Sequence, residues 1–167
     1  MAELTQKERL QPSLLDRLTD DAPEKTQESR EQRVLSLTKL RQCVLRDMGW
    51  LLNTGTLDAV QDLDAYPWVT HSVVNYGIPD LAGRTLSGTD ILEIEHRVKQ
   101  AIWDFEPRIM SDSLKVTVST TEDQMNHNAM SFTIEGDLWA QPLPLRLYLK
   151  TELDLETGNM SILDKGG

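Results

Sequence analysis

Past residue 110 the spacing of apolar side chains changes from a period near 3.6 to a period of 2, and no other feature of the chain constrains its fold as much. Upstream, Val34, Leu37, Leu40, Val44, Leu45, Met48, Leu51 and Leu52 recur at three- and four-residue steps, and so do Ile91, Ile94, Val98, Ala101, Ile102 and Phe105. Each set is one apolar stripe along a long helix. Downstream, Leu114, Val116 and Val118 alternate with Lys115, Thr117 and Ser119, and Met130, Phe132, Ile134 and Leu138 alternate with Ser131, Thr133, Glu135 and Asp137. Leu143, Leu145, Leu147, Leu149, Leu153 and Leu155 then occupy odd positions opposite Arg146, Lys150, Glu152 and Asp154. These are strands with one buried face.

The stops agree with this division. Asn53-Thr54-Gly55 ends the first long helix, and Pro107 ends the second by biasing its predecessor away from helical angles. The first helix starts at Ser29, which with Gln32 forms a capping-box pattern, or at Ser36; the second opens at Thr89 or Ser87. A shorter helix is expected from Pro67, with Val69, Val73 and Tyr76 on one side, until Gly77 ends it and Ile78-Pro79-Asp80 turns the chain. Thr157-Gly158-Asn159 offers a hairpin turn into a last strand around Ser161-Ile162-Leu163. Helices first and strands later indicate an α+β domain: two long helices and a short one packed on one face of a three- to four-stranded, mostly antiparallel sheet. Its second face is polar, and its two edges are templates for a strand from another chain.

A chain of 167 residues suits one domain with some tail. The tail is read as an extended N-terminal arm over residues 1–28, which carries Pro12, Pro23 and one short apolar patch, Leu14, Leu15 and Leu18, too short to hold a helix by itself. The α+β domain follows over 29–165. Charge and cysteine usage exclude several classes of function. The net charge of -10 argues against a duplex-binding surface, which neutralises phosphates with Lys and Arg. A single cysteine, Cys43, permits no internal disulfide and no cysteine-based metal site, which suits a reducing cytoplasm. No stretch approaches the apolar length of a membrane span, so no direct membrane insertion is expected. His71, His96 and His127 lie in three different elements without metal-ligand spacing, and no nucleophile elbow or phosphate-binding glycine loop is present, so neither metal nor cofactor is expected.

Glu106-Pro107-Arg108 is the step with the most chemistry. A glycosidase general acid at Glu106 needs an apolar pocket that raises its pKa, whereas Arg108 across a rigid proline pushes it down, so the catalytic reading is weak. Two readings then stand on spacing. In one, Pro107 merely ends a helix and both charges face water. In the other, Pro107 fixes Glu106 and Arg108 in directions suited to charge-assisted bonds with a partner. Trp50, Trp68, Trp103 and Trp139 likewise read either as core or rim packing or as partner anchors.

Five segments in order, Leu14-Leu15-Asp16-Arg17-Leu18, Leu45-Arg46-Asp47-Met48-Gly49-Trp50-Leu51-Leu52-Asn53-Thr54, Asn75-Tyr76-Gly77-Ile78-Pro79-Asp80-Leu81, Phe105-Glu106-Pro107-Arg108-Ile109 and Glu135-Gly136-Asp137-Leu138-Trp139, closely resemble the TssE family of type VI secretion baseplate subunits. The likeness runs from about residue 13 to 157 and extends to a contractile-phage baseplate wedge protein once labelled lysozyme-like. It implies a structural, non-enzymatic subunit that joins TssF and TssG in a wedge at the cytoplasmic side of the inner membrane and helps seed the sheath of TssB and TssC, with contacts to other baseplate proteins. Through the family's Glu-Pro-Arg motif it implies partner contacts at Glu106, Pro107 and Arg108. The arm, with Leu14, Leu15, Arg17 and Leu18, is the second expected attachment. Two other classes remain as alternatives: a regulatory module similar to an anti-adaptor that shields a stress sigma factor, and a peptidoglycan hydrolase.

Overall fold

Ser36 decides where the first long helix begins: its Oγ accepts a hydrogen bond from the Lys39 backbone N–H at 3.1 Å, and the helix, α2, runs Leu37–Leu52. A computed structural model of the chain describes residues 13–19, 23–24, 36–81, 91–119, 129–140 and 144–164. Val34 and the possible caps at Ser29, Ser87 and Thr89 lie outside those residues. Before α2 stands a single capped turn, α1, Leu14–Leu18, closed by a reciprocal pair of bonds between Ser13 and Asp16. The second long helix, α4, spans Ile91–Phe105, and its ladder closes where Glu106 N–H donates to Ile102 O at 2.9 Å, one residue ahead of Pro107.

The short helix expected from Pro67 is broken. It forms one turn, α3, Pro67–Thr70, followed by a separate 3₁₀ turn, Val73–Asn75. Ser72 causes the break, since its Oγ accepts from Val74 N–H at 3.3 Å and so restarts the chain in a new turn, while two valines in succession have little helical preference. Val73 consequently faces solvent instead of sharing a packed side with Val69 and Tyr76.

The strands are β1, Lys115–Ser119, β2, Ala129–Leu138, β3, Leu145–Asp154, and β4, Met160–Asp164, paired antiparallel in chain order. The hairpin between β3 and β4 uses Gly158 at φ 73, with Gly158 N–H bonded to Asp154 O at 2.8 Å. Register places Val116, Ile134 and Leu149 in one row and Val118, Phe132 and Thr151 in the next, so the period-2 pattern becomes one continuous inner face. Against it lie α4, over β1, and α2, over β4, and the two helices also touch each other. Leu40, Val44, Met48, Leu51 and Leu52 from α2 and Ile94, Val98, Ala101 and Ile102 from α4 share one core with Phe132, Ile134, Leu138, Leu147, Leu149 and Leu153. Each large apolar side chain so buried contributes on the order of 1.5–3 kcal/mol. The opposite face carries Thr133, Glu135, Asp137, Arg146, Lys150 and Glu152, none of them buried, and β1 and β4 are its edges.

Gly136 lets the end of α4 reach the sheet. A Cβ there would stand 2.8 Å from Ile109 Cγ2, because the turn after Pro107 lies across β2 at this point. Met110 N–H donates to Asp137 O and Trp139 N–H to Arg108 O, both at 2.8 Å, which pins the Glu106–Arg108 step over the end of β2.

Candidate functional site

Glu106 sits just past the last turn of α4 and is only 3% exposed. A carboxylate taken that far from water needs compensation, and Arg108 supplies it. The Arg108 Nε donates to Glu106 Oε1 at 2.6 Å and Nη2 to Oε2 at 2.5 Å, a bidentate fork across Pro107, while the Arg108 backbone N–H adds a bond to Oε1 at 3.2 Å. The pair is therefore turned inward, with Arg108 Nη1 buried and without a hydrogen-bond partner. Both Glu106 oxygens are engaged by the guanidinium as an ion pair.

The fork continues into the rest of the fold. Arg108 Nη2 also reaches Asp47 Oδ2 of α2 at 2.5 Å, and Arg108 Nη1 lies 3.9 Å from Asp16 Oδ2 of α1. Arg46 closes the circuit by donating to Asp47 Oδ1 and Asp16 Oδ1, each at 2.8 Å. Two guanidinium groups thus tie together three carboxylates from α1, α2 and the end of α4. Burial by itself would raise the Asp16 pKa, but hydrogen bonds from Ser13, the Cys43 thiol and Arg46, with the Arg46 charge, outweigh it and hold the group at about 2. Burial works against the Arg108 charge too, and the bonds and charges of Glu106 and then Asp47 more than compensate, so its pKa rises. The Cys43 thiol is pushed up by burial and by the neighbouring Asp16. Above the circuit Tyr76 donates from its hydroxyl to Asp47 O at 3.4 Å and sets its ring edge-on to Phe105, with centroids 5.2 Å apart.

The five segments read as a resemblance, spread over most of the chain, meet here: Asp16, Arg46 with Asp47, Tyr76, Glu106 to Arg108, and Trp139 through its backbone bond to Arg108. Asp16, Arg46 and Asp47 carry site chemistry that the sequence reading did not assign to them. The available signal was an acid three residues after Ser13, which suits a capping box, and an Arg-Asp pair between Leu45 and Met48 at the margin of an apolar stripe.

Around the circuit the surface is apolar. Leu14, Leu15 and Leu18 of α1 are exposed, Leu18 to 75%, and Pro107 is exposed as well. Arg17 belongs to α1, and its side chain is outside the described residues. All four tryptophans are more than half exposed, so none is a core residue; Trp50 has the Arg46 guanidinium 5.0 Å above its ring. Among the described residues no cluster of three or more His, Cys, Asp or Glu is placed to hold a metal ion, and no helix is long and apolar enough to cross a membrane.

A family model described as baseplate wedge protein gp25 matches residues 38–143, the span that holds α2, α4, β1 and β2 and all of the circuit except Asp16. The chain belongs to that family. No curated protein and no solved structure matches it. The matched span thus covers the Glu106-Pro107-Arg108 step and its Asp47 and Arg46 partners, whereas α1 stands ahead of it.

Proposed function

We propose that the chain is a structural subunit of a type VI secretion baseplate wedge, where it binds TssF and TssG and helps start the contractile sheath of TssB and TssC at the cytoplasmic side of the inner membrane. Membership of the baseplate wedge family carries this reading. The site supports it in a specific way: a pre-formed ionic circuit holds α1 on the domain with Leu14, Leu15 and Leu18 turned outward, and that exposure of three leucines brings no benefit to the isolated fold. In this reading Glu106 and Arg108 act by fixing the geometry of the contact surface that Pro107 and α1, with Leu14, Leu15, Arg17 and Leu18, present to the wedge. β1 and β4 are the edges of the sheet, each capped at one point, where Glu95 accepts from Val118 N–H and the Asn53 amide bonds Met160 N–H and O, and in this reading a sheath strand is added along the remainder of one of them. No catalytic role belongs to Glu106.

The test is co-purification of the Leu14→Asp, Leu18→Asp double variant with TssF and TssG. Both side chains are largely exposed, so the variant folds as the parent does and is expected to lose the wedge. Wild-type recovery of both partners, with sheath assembly intact, would overturn the role given to α1.

A further inference from the structure

Between α2 and α4 the chain makes a second surface that the ionic circuit does not use. Its neck is tight: Gly55 and Ile78 form a parallel bridge, with Thr56 N–H bonded to Ile78 O at 3.1 Å and Ile78 N–H to Thr54 O at 2.8 Å. Inside the neck the turns at Leu57–Ala59, α3 and Val73–Asn75 pack on one another. Asn75, a buried side chain, links them by accepting from Asp58 N–H at 3.0 Å and donating to Thr70 O at 2.9 Å. His71 Nδ1 lies 2.8 Å from Asp104 Oδ2, which joins the segment to α4. The backbone is therefore fastened at both ends and in the middle.

On this rigid support the large apolar side chains point outward. Trp68 is 91% exposed, Val60 84% and Val73 81%, and Val74 and Tyr66 are exposed beside them. A floppy loop could fold such groups against the domain; this one is held so that they stay in water. The cost of keeping five of them there is offset only if something covers them. Charge states what that something is. Residues 54–81 contain Asp58, which Arg97 of α4 approaches to 3.6 Å, together with Asp62, Asp64 and Asp80 and no Lys or Arg, and Asp62 and Asp64 are exposed and stand shortly ahead of Tyr66 and Trp68 in the chain. Asp58 and Asp80, with Glu93 and Arg97 of α4, line a cavity of about 310 Å³ at the base of the same segment.

We propose that the 54–81 segment is a second docking surface, distinct from the one around α1, and that its occupant is a segment of another subunit in which Lys or Arg residues flank apolar side chains. Trp68 is the anchor of the contact and Asp62 and Asp64 its charged rim. Aromatic anchors on pre-ordered supports carry most of the energy of such contacts, and complementary rim charge sets partner choice and rate of encounter. The inference rests on the wedge reading only in taking that subunit from the wedge.

p-Benzoylphenylalanine, a photo-cross-linking side chain that keeps a large aromatic group where Trp68 stands, is placed at position 68 of the full chain in the assembled wedge to test it, with the same group at position 18 as the reference for α1. The expected result is an adduct at 68 to a partner-subunit peptide with more Lys and Arg than Asp and Glu. Combining Asp62→Asn, which keeps the acceptor used by Asp64 N–H, with Asp64→Lys is expected to lower the yield at 68 at least about tenfold while leaving the yield at 18 unchanged. An adduct at 18 with none at 68 overturns this inference and leaves the wedge reading standing; silence at both positions overturns both. An adduct at 68 to an acidic or neutral peptide, to a second copy of the chain or to the chain itself overturns it too, as does a yield at 68 indifferent to the charge change.

Discussion

Replacing Arg108 by Met leaves Glu106, 3% exposed, without the two guanidinium hydrogen bonds that hold its carboxylate. Only the bond from the backbone N–H of residue 108 remains. Removing one member of a buried pair costs about 3–5 kcal/mol because the other charge stays behind, whereas replacing both by apolar groups of similar volume is often close to neutral. For a chain of this size that loss corresponds to a fall in Tm of roughly 6–20 °C. The measurement is denaturant unfolding of four proteins: the parent, Arg108→Met, Glu106→Leu and the double variant. The double variant is expected to recover most of the loss, with a coupling energy of at least about 2 kcal/mol. A loss below about 1 kcal/mol for Arg108→Met, or a double variant that costs the sum of the singles, would refute the view that the pair is buried and mutually dependent. The stable double variant also separates folding from assembly: if it folds but no longer enters the wedge, the guanidinium contributes to the contact beyond holding the fold.

Gly77 has φ 133, and a Cβ there would stand 2.3 Å from Thr54 O, so Gly77→Ala is expected to cost more than about 2 kcal/mol in denaturant unfolding and to loosen the neck of the 54–81 segment. Asp16 is held at about 2 in the folded protein against 3.8 ordinarily. A lowered carboxylate pKa contributes stability that is full above the unfolded value and is lost as pH falls through the folded one. Asp16→Asn is therefore expected to be less stable than the parent by about 1–2 kcal/mol near pH 7, allowing for solvent screening, and the gap should close between about pH 4 and 2. A gap that persists at pH 2 would contradict the ionic attachment of α1. Thr151, fully buried between Phe132 and Ile162 on the inner sheet face, leaves its hydroxyl unpartnered, so Thr151→Val is expected to raise stability by about 1 kcal/mol; a loss would show that the hydroxyl is satisfied.

What the sequence determined by itself is the set of elements and the side of each that is buried. The two apolar periods, Pro107 as a stop and Gly158 in a hairpin act within a few residues of themselves, and local rules suffice for local causes, although the choice between Ser29 and Ser36 as the first cap fell to the structure. The same rules failed at residues 67–76, where a Ser72 hydroxyl competing for the backbone outweighed an apparently helical spacing. They also left the tryptophans undecided, since an exposed and a buried tryptophan look alike in a string of letters, and here all four proved exposed. The site was legible only as pieces. Glu106, Pro107 and Arg108 stood out by type, but whether their charges faced water or each other depended on what lay above them, and that is Asp47, 61 residues away from Arg108, and Asp16, 30 away from Arg46. Only the tertiary structure decided it, by packing α1, α2 and the end of α4 so closely that burial made each of those charges depend on partners that no local pattern specifies.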